Sequence, residues 1–249
     1  MASKKQPSKS LKLYKVIFQC RYDPELAFYQ TFTGTADKLD YPHWEIAWNQ
    51  ITLKDFDNHC SMSIRQNAFG YEQDSSDIEL EKRRIREALE TIPEGLKLQQ
   101  YSRMGYRRRY LAPVRMTFEE LARVFHTKFF NQSSRLEQVL PENLDDILYR
   151  VDVSEDDYSF HIGCGPVVKD EAIERLGFNE NNFAPDRLIS IEEIASKVPD
   201  VSVLVDIDMF QMADDIDLAV APQFADHAQK RVHEIAEGLI DFMLQQGVE

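Results

Sequence analysis

Several segments of the chain alternate apolar and polar residues with a period of two, the pattern of a strand with one buried face. In the first of them, Val16, Phe18 and Cys20 share one face. The other strand-like runs are 60–64, 97–113, 147–153, 158–164 and 201–210. Because an acidic turn at Asp156-Asp157 separates two of these runs directly, the pattern predicts antiparallel hairpins.

Three other segments repeat apolar residues at helical spacing. The first begins after Asp77, a residue type that caps helix N-termini, and is predicted to end at Pro93 and Gly95. The second begins at Thr117, which forms a capping box with Glu120, and the third is a long amphipathic helix over 222–246. Strands joined locally predict an α+β fold, with antiparallel sheets in two lobes packed with helices, rather than a doubly wound parallel sheet.

Charge divides the chain into two parts. Residues 1–136 contain 22 Lys/Arg and 17 Asp/Glu, whereas residues 137–249 contain 7 and 26, which gives +5 and −19 and a total of −14. Together with the element pattern, this predicts a disordered basic tail over 1–10, an N-terminal α+β lobe with a basic patch over 11–115, and an acidic C-terminal α+β lobe over 116–249.

Composition restricts the cellular setting. No apolar run approaches the roughly 18 residues of a membrane helix, and the first ten residues lack the apolar core of a secretory signal. Cys20, Cys60 and Cys164 are far apart and match no metal or redox spacing. The sequence therefore predicts a cytoplasmic protein with reduced, buried thiols, no membrane contact and no cofactor.

The densest positive charge lies between Lys82 and Arg115, with ten Lys/Arg against three Asp/Glu. Guanidinium groups bind phosphate bidentately and tyrosine rings stack on bases, so this segment is a candidate site for an anion, a partner protein or single-stranded nucleic acid. The candidate residues are Arg103, Tyr106, Arg107, Arg109 and Tyr110. The same arginines could instead form ion pairs within the chain, for example with its acidic half.

A second candidate is the pair Asp206 and Asp208 in the apolar run 201–210. Residues two apart on a strand point to one face, and this spacing lets two carboxylates hold Mg²⁺ or Mn²⁺ against a phosphate in nucleotidyl- and glycosyl-transfer enzymes. No Gly-rich phosphate loop accompanies the pair. The alternative is a solvent-facing pair on an edge strand. The six histidines show no ligand spacing, so no other metal site and no catalytic residue are predicted.

Four features, in chain order, resemble a sporadically distributed family of uncharacterised bacterial proteins. They are the strand ending in Arg21-Tyr22, the segment 101–110, the strand 203–210, and the final helix with His233 and Phe242. Members tend to carry an Arg-x-Gly-x-Arg-Tyr strand, from which this chain departs at Arg108-Arg109. The resemblance implies a bacterial source and a patchily inherited gene of the kind found among defence loci. It implies no established activity, so no residue acquires a catalytic role from it.

These observations favour a non-catalytic interaction or regulatory subunit of a bacterial complex, of the kind used against phage. Its partner would be another protein or a second copy, bound through oppositely charged surfaces, so assembly should weaken as salt rises. One alternative is metal-dependent nucleotidyl or glycosyl transfer at Asp206 and Asp208. The other is binding of single-stranded nucleic acid by Arg107 and Tyr110, which the net charge of −14 makes less favourable.

Overall fold

The computed structural model describes residues 11–74, 76–130, 147–176, 193 and 196–244. The predicted basic tail lies outside these residues. The described strands are β1 (Lys12–Arg21), β2 (His43–Ala47), β3 (Gln50–Asp55), β4 (Cys60–Arg65), β5 (Ala68–Gln73), β6 (Gln100–Pro113), β7 (Tyr149–Glu155), β8 (Tyr158–Val168) and β9 (Val201–Asp217). The described helices are α1 (Phe28–Asp37), α2 (Ile78–Leu96), α3 (Phe118–Phe130), α4 (Lys169–Arg175) and α5 (Ala221–Leu244), with a 3₁₀ turn at Leu218–Val220.

All nine described strands form one antiparallel sheet in the order β2-β3-β4-β5-β1-β6-β9-β8-β7. The predicted α+β class, with its antiparallel strands and long C-terminal helix, is therefore confirmed. The predicted lobe boundary after residue 115 falls between β6 and α3. The sheet is continuous across that boundary, because β6 pairs with β9 from Gln100 opposite Asp217 to Pro113 opposite Ser202.

The helices are distributed unequally over the two faces of the sheet. α1, α2, α5 and α3 contact β3, β5, β6 and β8 in turn and form one layer over the main core. α4 packs on the opposite face, where Leu111, Val167, Ala172 and Leu204 form a separate small cluster. The rest of that opposite face across β1, β6, β9 and β8 carries mainly polar side chains, and we call it the polar face. No helix among the described residues has the length and apolar character needed to cross a membrane.

The alternation predicted for β1 is present, since Val16, Phe18 and Cys20 are fully buried beneath the helix layer. The expected burial of the three cysteines is also confirmed. Burial raises the pKa of the Cys60 thiol to about 11 and that of Cys164 to about 12, so both remain protonated at neutral pH.

For α2, the capping residue predicted the helix start correctly, whereas Pro93 and Gly95 did not mark the helix end. The Asp77 side chain accepts a hydrogen bond from the Leu80 amide at 2.9 Å, as expected of an N-cap. The predicted end at Pro93 and Gly95 is wrong: α2 continues to Leu96, because buried apolar residues hold its last turn against the sheet. The following strand therefore begins at Gln100 rather than at residue 97.

The capping box that was predicted to open α3 is confirmed. The Thr117 amide donates to the Glu120 carboxylate at 2.9 Å, and the Glu120 amide donates to Oγ1 of Thr117 at 3.2 Å.

Candidate functional site

The two candidate sites of the sequence lie on neighbouring strands and form one group of side chains. The register of β6 and β9 places Arg109 opposite Asp206 and Arg107 opposite Asp208, all on the polar face. Asp206 and Asp208 share a face, as their spacing predicts. Together with Arg103, these residues make up what we call the Arg–Asp cluster.

Ion pairs join the members of the Arg–Asp cluster. Arg107 binds Asp206 bidentately, with Nε 2.7 Å from Oδ1 and Nη2 2.5 Å from Oδ2. Nε of Arg109 lies 3.2 Å from the same Oδ2, and Nη2 of Arg103 lies 3.4 Å from Oδ2 of Asp208. The internal ion pairing that the sequence left open is thus present in all three arginines.

Partial burial strengthens this pairing. The Arg107 side chain is 38% exposed, whereas those of Arg109 and Arg103 are each 15% exposed. Hydrogen bonds to Asp206 raise the pKa of Arg107, and burial raises the pKa of the Asp208 carboxyl while Arg103 acts against that rise. A phosphate would have to displace a carboxylate from these arginines, and a metal ion would have to displace a guanidinium from Asp206.

A glycine allows Arg103 to lie across the sheet. A Cβ atom at Gly105 would stand 2.7 Å from Nη1 of Arg103, closer than atoms can approach. The Arg103 guanidinium instead lies over the Phe210 ring at 5.0 Å from its centroid. Any side chain at position 105 would therefore require the Arg103 guanidinium to shift.

The predicted tyrosine members of the site are not on the polar face, and the prediction that their rings could stack on a ligand is wrong. Tyr106 and Tyr110 alternate with the arginines along β6 and are 0% and 1% exposed beneath the helices. The Tyr106 hydroxyl donates to Glu81 of α2, and the Tyr110 ring lies 6.0 Å from that of His233 on α5. Both tyrosines belong to the core between sheet and helices.

One residue beside the Arg–Asp cluster, His161, was not singled out by the sequence analysis. His161 on β8 lies opposite Asp208 in the register, and its ring is 4.8 Å from that of Phe210. Its Nδ1 is 2.8 Å from Oδ1 of Asp152 on β7. The alternation in β8 predicted the outward direction of His161, but only the strand order brings it to Asp208.

The Arg–Asp cluster offers no ready metal centre. Within the described ranges, no three His, Cys, Asp or Glu side chains are grouped closely enough to hold a metal ion. Asp206 and Asp208 contribute two carboxylates, and the neighbouring strand supplies cations rather than further oxygen ligands.

We expect Asp206→Asn to lower the free energy of unfolding by about 1 to 3 kcal/mol, because the half-buried guanidinium groups of Arg107 and Arg109 would both lose their carboxylate partner. Urea unfolding measures this change, with Asp214→Asn at an exposed position of β9 as the control. Mn²⁺ should leave the melting temperature of the natural protein unchanged. A Mn²⁺-dependent rise that Asp206→Asn abolishes would instead favour the transferase alternative.

A different surface was missed by the sequence analysis. β2 is one of the two outermost strands, all five of its residues are exposed, and its side chains include Trp44 and Ile46. Their exposed fractions are 40% and 56%, and Trp48 in the following turn is 79% exposed. We call this strand and its turn the β2 edge. Large exposed apolar groups on an outermost strand are the usual sign of a binding surface, because soluble proteins generally protect their sheet edges.

The other outermost strand is protected in the usual way. β7 carries Arg150, Asp152 and Glu155, which are exposed charged residues. Charges on an edge disfavour pairing with another chain. By contrast, β2 has a single formally charged residue, Glu45. The two ends of the sheet therefore differ in their capacity for association.

Comparison with known proteins adds no name to this geometry. The sequence matches no protein-family model, and no curated protein matches it either.

Proposed function

We propose that this chain is a non-catalytic interaction subunit of a bacterial protein complex and that it binds its partner through the β2 edge. The observation that carries the proposal is the exposure of Trp44, Ile46 and Trp48 along a strand with no neighbour on its outer side among the described residues. An added strand would satisfy the outer backbone groups of β2 and bury these side chains. Tryptophan in particular is enriched at the energetic centres of interfaces. The use of such a complex against phage stays a prediction from the resemblance.

This proposal places the partner contact at the β2 edge, whereas the charge distribution of the sequence suggested oppositely charged surfaces. The three arginines of the Arg–Asp cluster are bound by Asp206 and Asp208, so their charge is largely compensated within the chain. The same pairing disfavours both alternatives, since transfer chemistry needs the carboxylates and nucleic-acid binding needs the guanidinium groups. The affinity of an apolar edge for its partner should depend little on salt concentration. The affinity of oppositely charged surfaces should fall as salt rises, because the Debye length shortens.

Co-purification tests the proposal. The tagged full-length chain is expressed in its source bacterium beside an untagged copy, and the natural protein is compared with Trp44→Ser/Ile46→Lys. We expect a partner protein to co-purify with the natural chain in fixed stoichiometry and to remain bound at high salt. The double variant should not retain it. Val153→Lys is the matched control, because Val153 is an exposed apolar residue, 42% accessible, on the opposite outermost strand.

Two results would contradict the proposal. One is recovery of the same protein with the double variant, which would exclude the β2 edge as the contact. The other is loss of the partner at high salt together with retention by the edge variant, which would return the contact to the charged surfaces.

A further inference from the structure

The large apolar residues of the β2 edge are arranged symmetrically about Ile46 in the sequence. The segment from Trp44 to Trp48 has Trp at each end, Ile46 at its centre, and Glu45 and Ala47 between them. Trp44 and Ile46 lie on the helix-side face of the sheet, opposite Leu53 and Ile51 of β3, which are both 0% exposed. A segment with this symmetry can pair with itself in the antiparallel direction without loss of contacts.

We infer that the partner at the β2 edge is a second copy of this chain, paired antiparallel about a two-fold axis at Ile46; this inference rests on the proposed function. In that arrangement Ile46 lies opposite Ile46 of the second copy, and Trp44 lies next to the turn of the second copy that carries Trp48. Aromatic and β-branched cross-strand pairs of this kind stabilise antiparallel strands. The two sheets then form one continuous sheet through the molecule.

The polar positions are compatible with the same register. Glu45 lies opposite Ala47 of the second copy, so the two glutamates do not face each other. Each Glu45 carboxylate remains bound to Lys54 of its own chain at 2.7 Å. A two-fold axis at Glu45 would place like charges directly opposite, which disfavours that neighbouring register.

The distribution of charge also fits this partner. β7, β8 and β9, whose residues lie in the acidic part of the sequence, occupy the end of the sheet away from β2. Strands are spaced about 4.8 Å apart, so β2 and β7 are separated by roughly 38 Å, several Debye lengths at physiological salt. Two copies joined at β2 therefore keep their acidic ends far apart.

Light scattering on the purified full-length protein measures the association directly. We expect twice the chain mass of 29.0 kDa, at low and high salt alike. Ile46→Lys places two ammonium groups opposite each other and removes an apolar contact from both copies. It should weaken dimerisation on the order of 1,000-fold, since a two-fold interface repeats each substitution. Val153→Lys should remain dimeric. An unchanged far-ultraviolet circular dichroism spectrum of the Ile46→Lys monomer would exclude misfolding, because position 46 is 56% exposed.

A cysteine scan tests the register. Cys20, Cys60 and Cys164 are buried, so an introduced exposed cysteine can be oxidised with little competition. Ile46→Cys should form a symmetric disulfide-linked dimer, because directly opposite residues bring their Cβ atoms within bonding reach. Val153→Cys is the matched control and should not. Cross-linking of Glu45→Cys in place of Ile46→Cys would overturn the register.

A monomeric natural protein at all concentrations would overturn the inference itself. The proposed function fails separately, when neither the untagged copy nor any other protein depends on the β2 edge in the co-purification. A third outcome separates the two ideas. If the purified protein is monomeric and substitution of Trp44 and Ile46 removes a different protein in the co-purification, the proposed function is kept and the second copy is excluded as the partner.

Discussion

Glu81→Gln should lower the free energy of unfolding by about 3 to 5 kcal/mol, the cost of leaving one charge of a buried ion pair without its partner. Glu81 lies between α2 and the sheet and is 1% exposed. Its carboxylate binds Nη2 of Arg108 at 2.5 Å and accepts from Nε2 of Gln229 at 3.1 Å and from the Tyr106 hydroxyl. Glutamine has nearly the same shape as glutamate, so the loss of stability measures the cost of leaving the Arg108 guanidinium buried without a negative partner.

Urea unfolding of three variants separates this effect from a general loss of packing. Glu79→Gln changes an exposed carboxylate on the same helix and should have almost no effect. Glu81→Leu/Arg108→Met replaces the pair by apolar groups and should be far more stable than Glu81→Gln, because apolar substitutes for a buried pair are often neutral or stabilising. A loss below about 1 kcal/mol in Glu81→Gln would contradict the burial of an obligatory ion pair.

Asp74→Asn should stabilise the protein at neutral pH by up to about 3 kcal/mol and should remove part of its pH dependence. The Asp74 side chain is 8% exposed, and its Oδ1 lies 3.4 Å from Nζ of Lys15. Burial raises the pKa of this carboxyl to about 6, although Lys15 opposes the rise and Glu72 adds to it. Lys15 is shared with Glu72, so it compensates the Asp74 charge incompletely.

The sign of the pH effect follows from that raised pKa. The folded protein binds the Asp74 proton more tightly than the unfolded chain does. The stability contributed by this carboxyl is therefore fully present below its ordinary pKa and is lost as pH rises through about 6. Natural protein and Asp74→Asn should be similarly stable near pH 4 and should diverge toward pH 7. Asp23→Asn, at an exposed position, is the control. Parallel pH profiles of the natural protein and Asp74→Asn would contradict the prediction.

Local patterns predicted most of the elements because burial on one face leaves a periodic record in the sequence. The alternation in β1 and the capping residues of α2 and α3 illustrate this. α1 was missed, since its sequence includes three threonines and a glycine, and its N-cap Ala27 makes no side-chain bond. Packing against α2 and β3 stabilises it instead, and that is not visible in its own residues.

The candidate site was only partly predictable for a related reason. Alternation assigns Arg107 and Asp206 to faces of their own strands, yet these residues are 99 positions apart in the chain. Their contact depends on strand order, which no local pattern encodes. The β2 edge was missed because exposed tryptophans look the same in a sequence as buried ones. Only the end position of β2 in the sheet makes them a surface.

β9 is synthesised long after β6, its partner strand, and this order bears on the arginines of β6. A nascent chain emerges from its N-terminus, so β6 exists with one side bare while the residues between 113 and 201 are still being translated. Closing so long a loop is slow compared with forming the hairpins that join β2 to β5. Charged side chains along a bare strand discourage capture by other polypeptides. We therefore expect the guanidinium groups that later bind Asp206 and Asp208 to reduce aggregation of the unfinished sheet during synthesis.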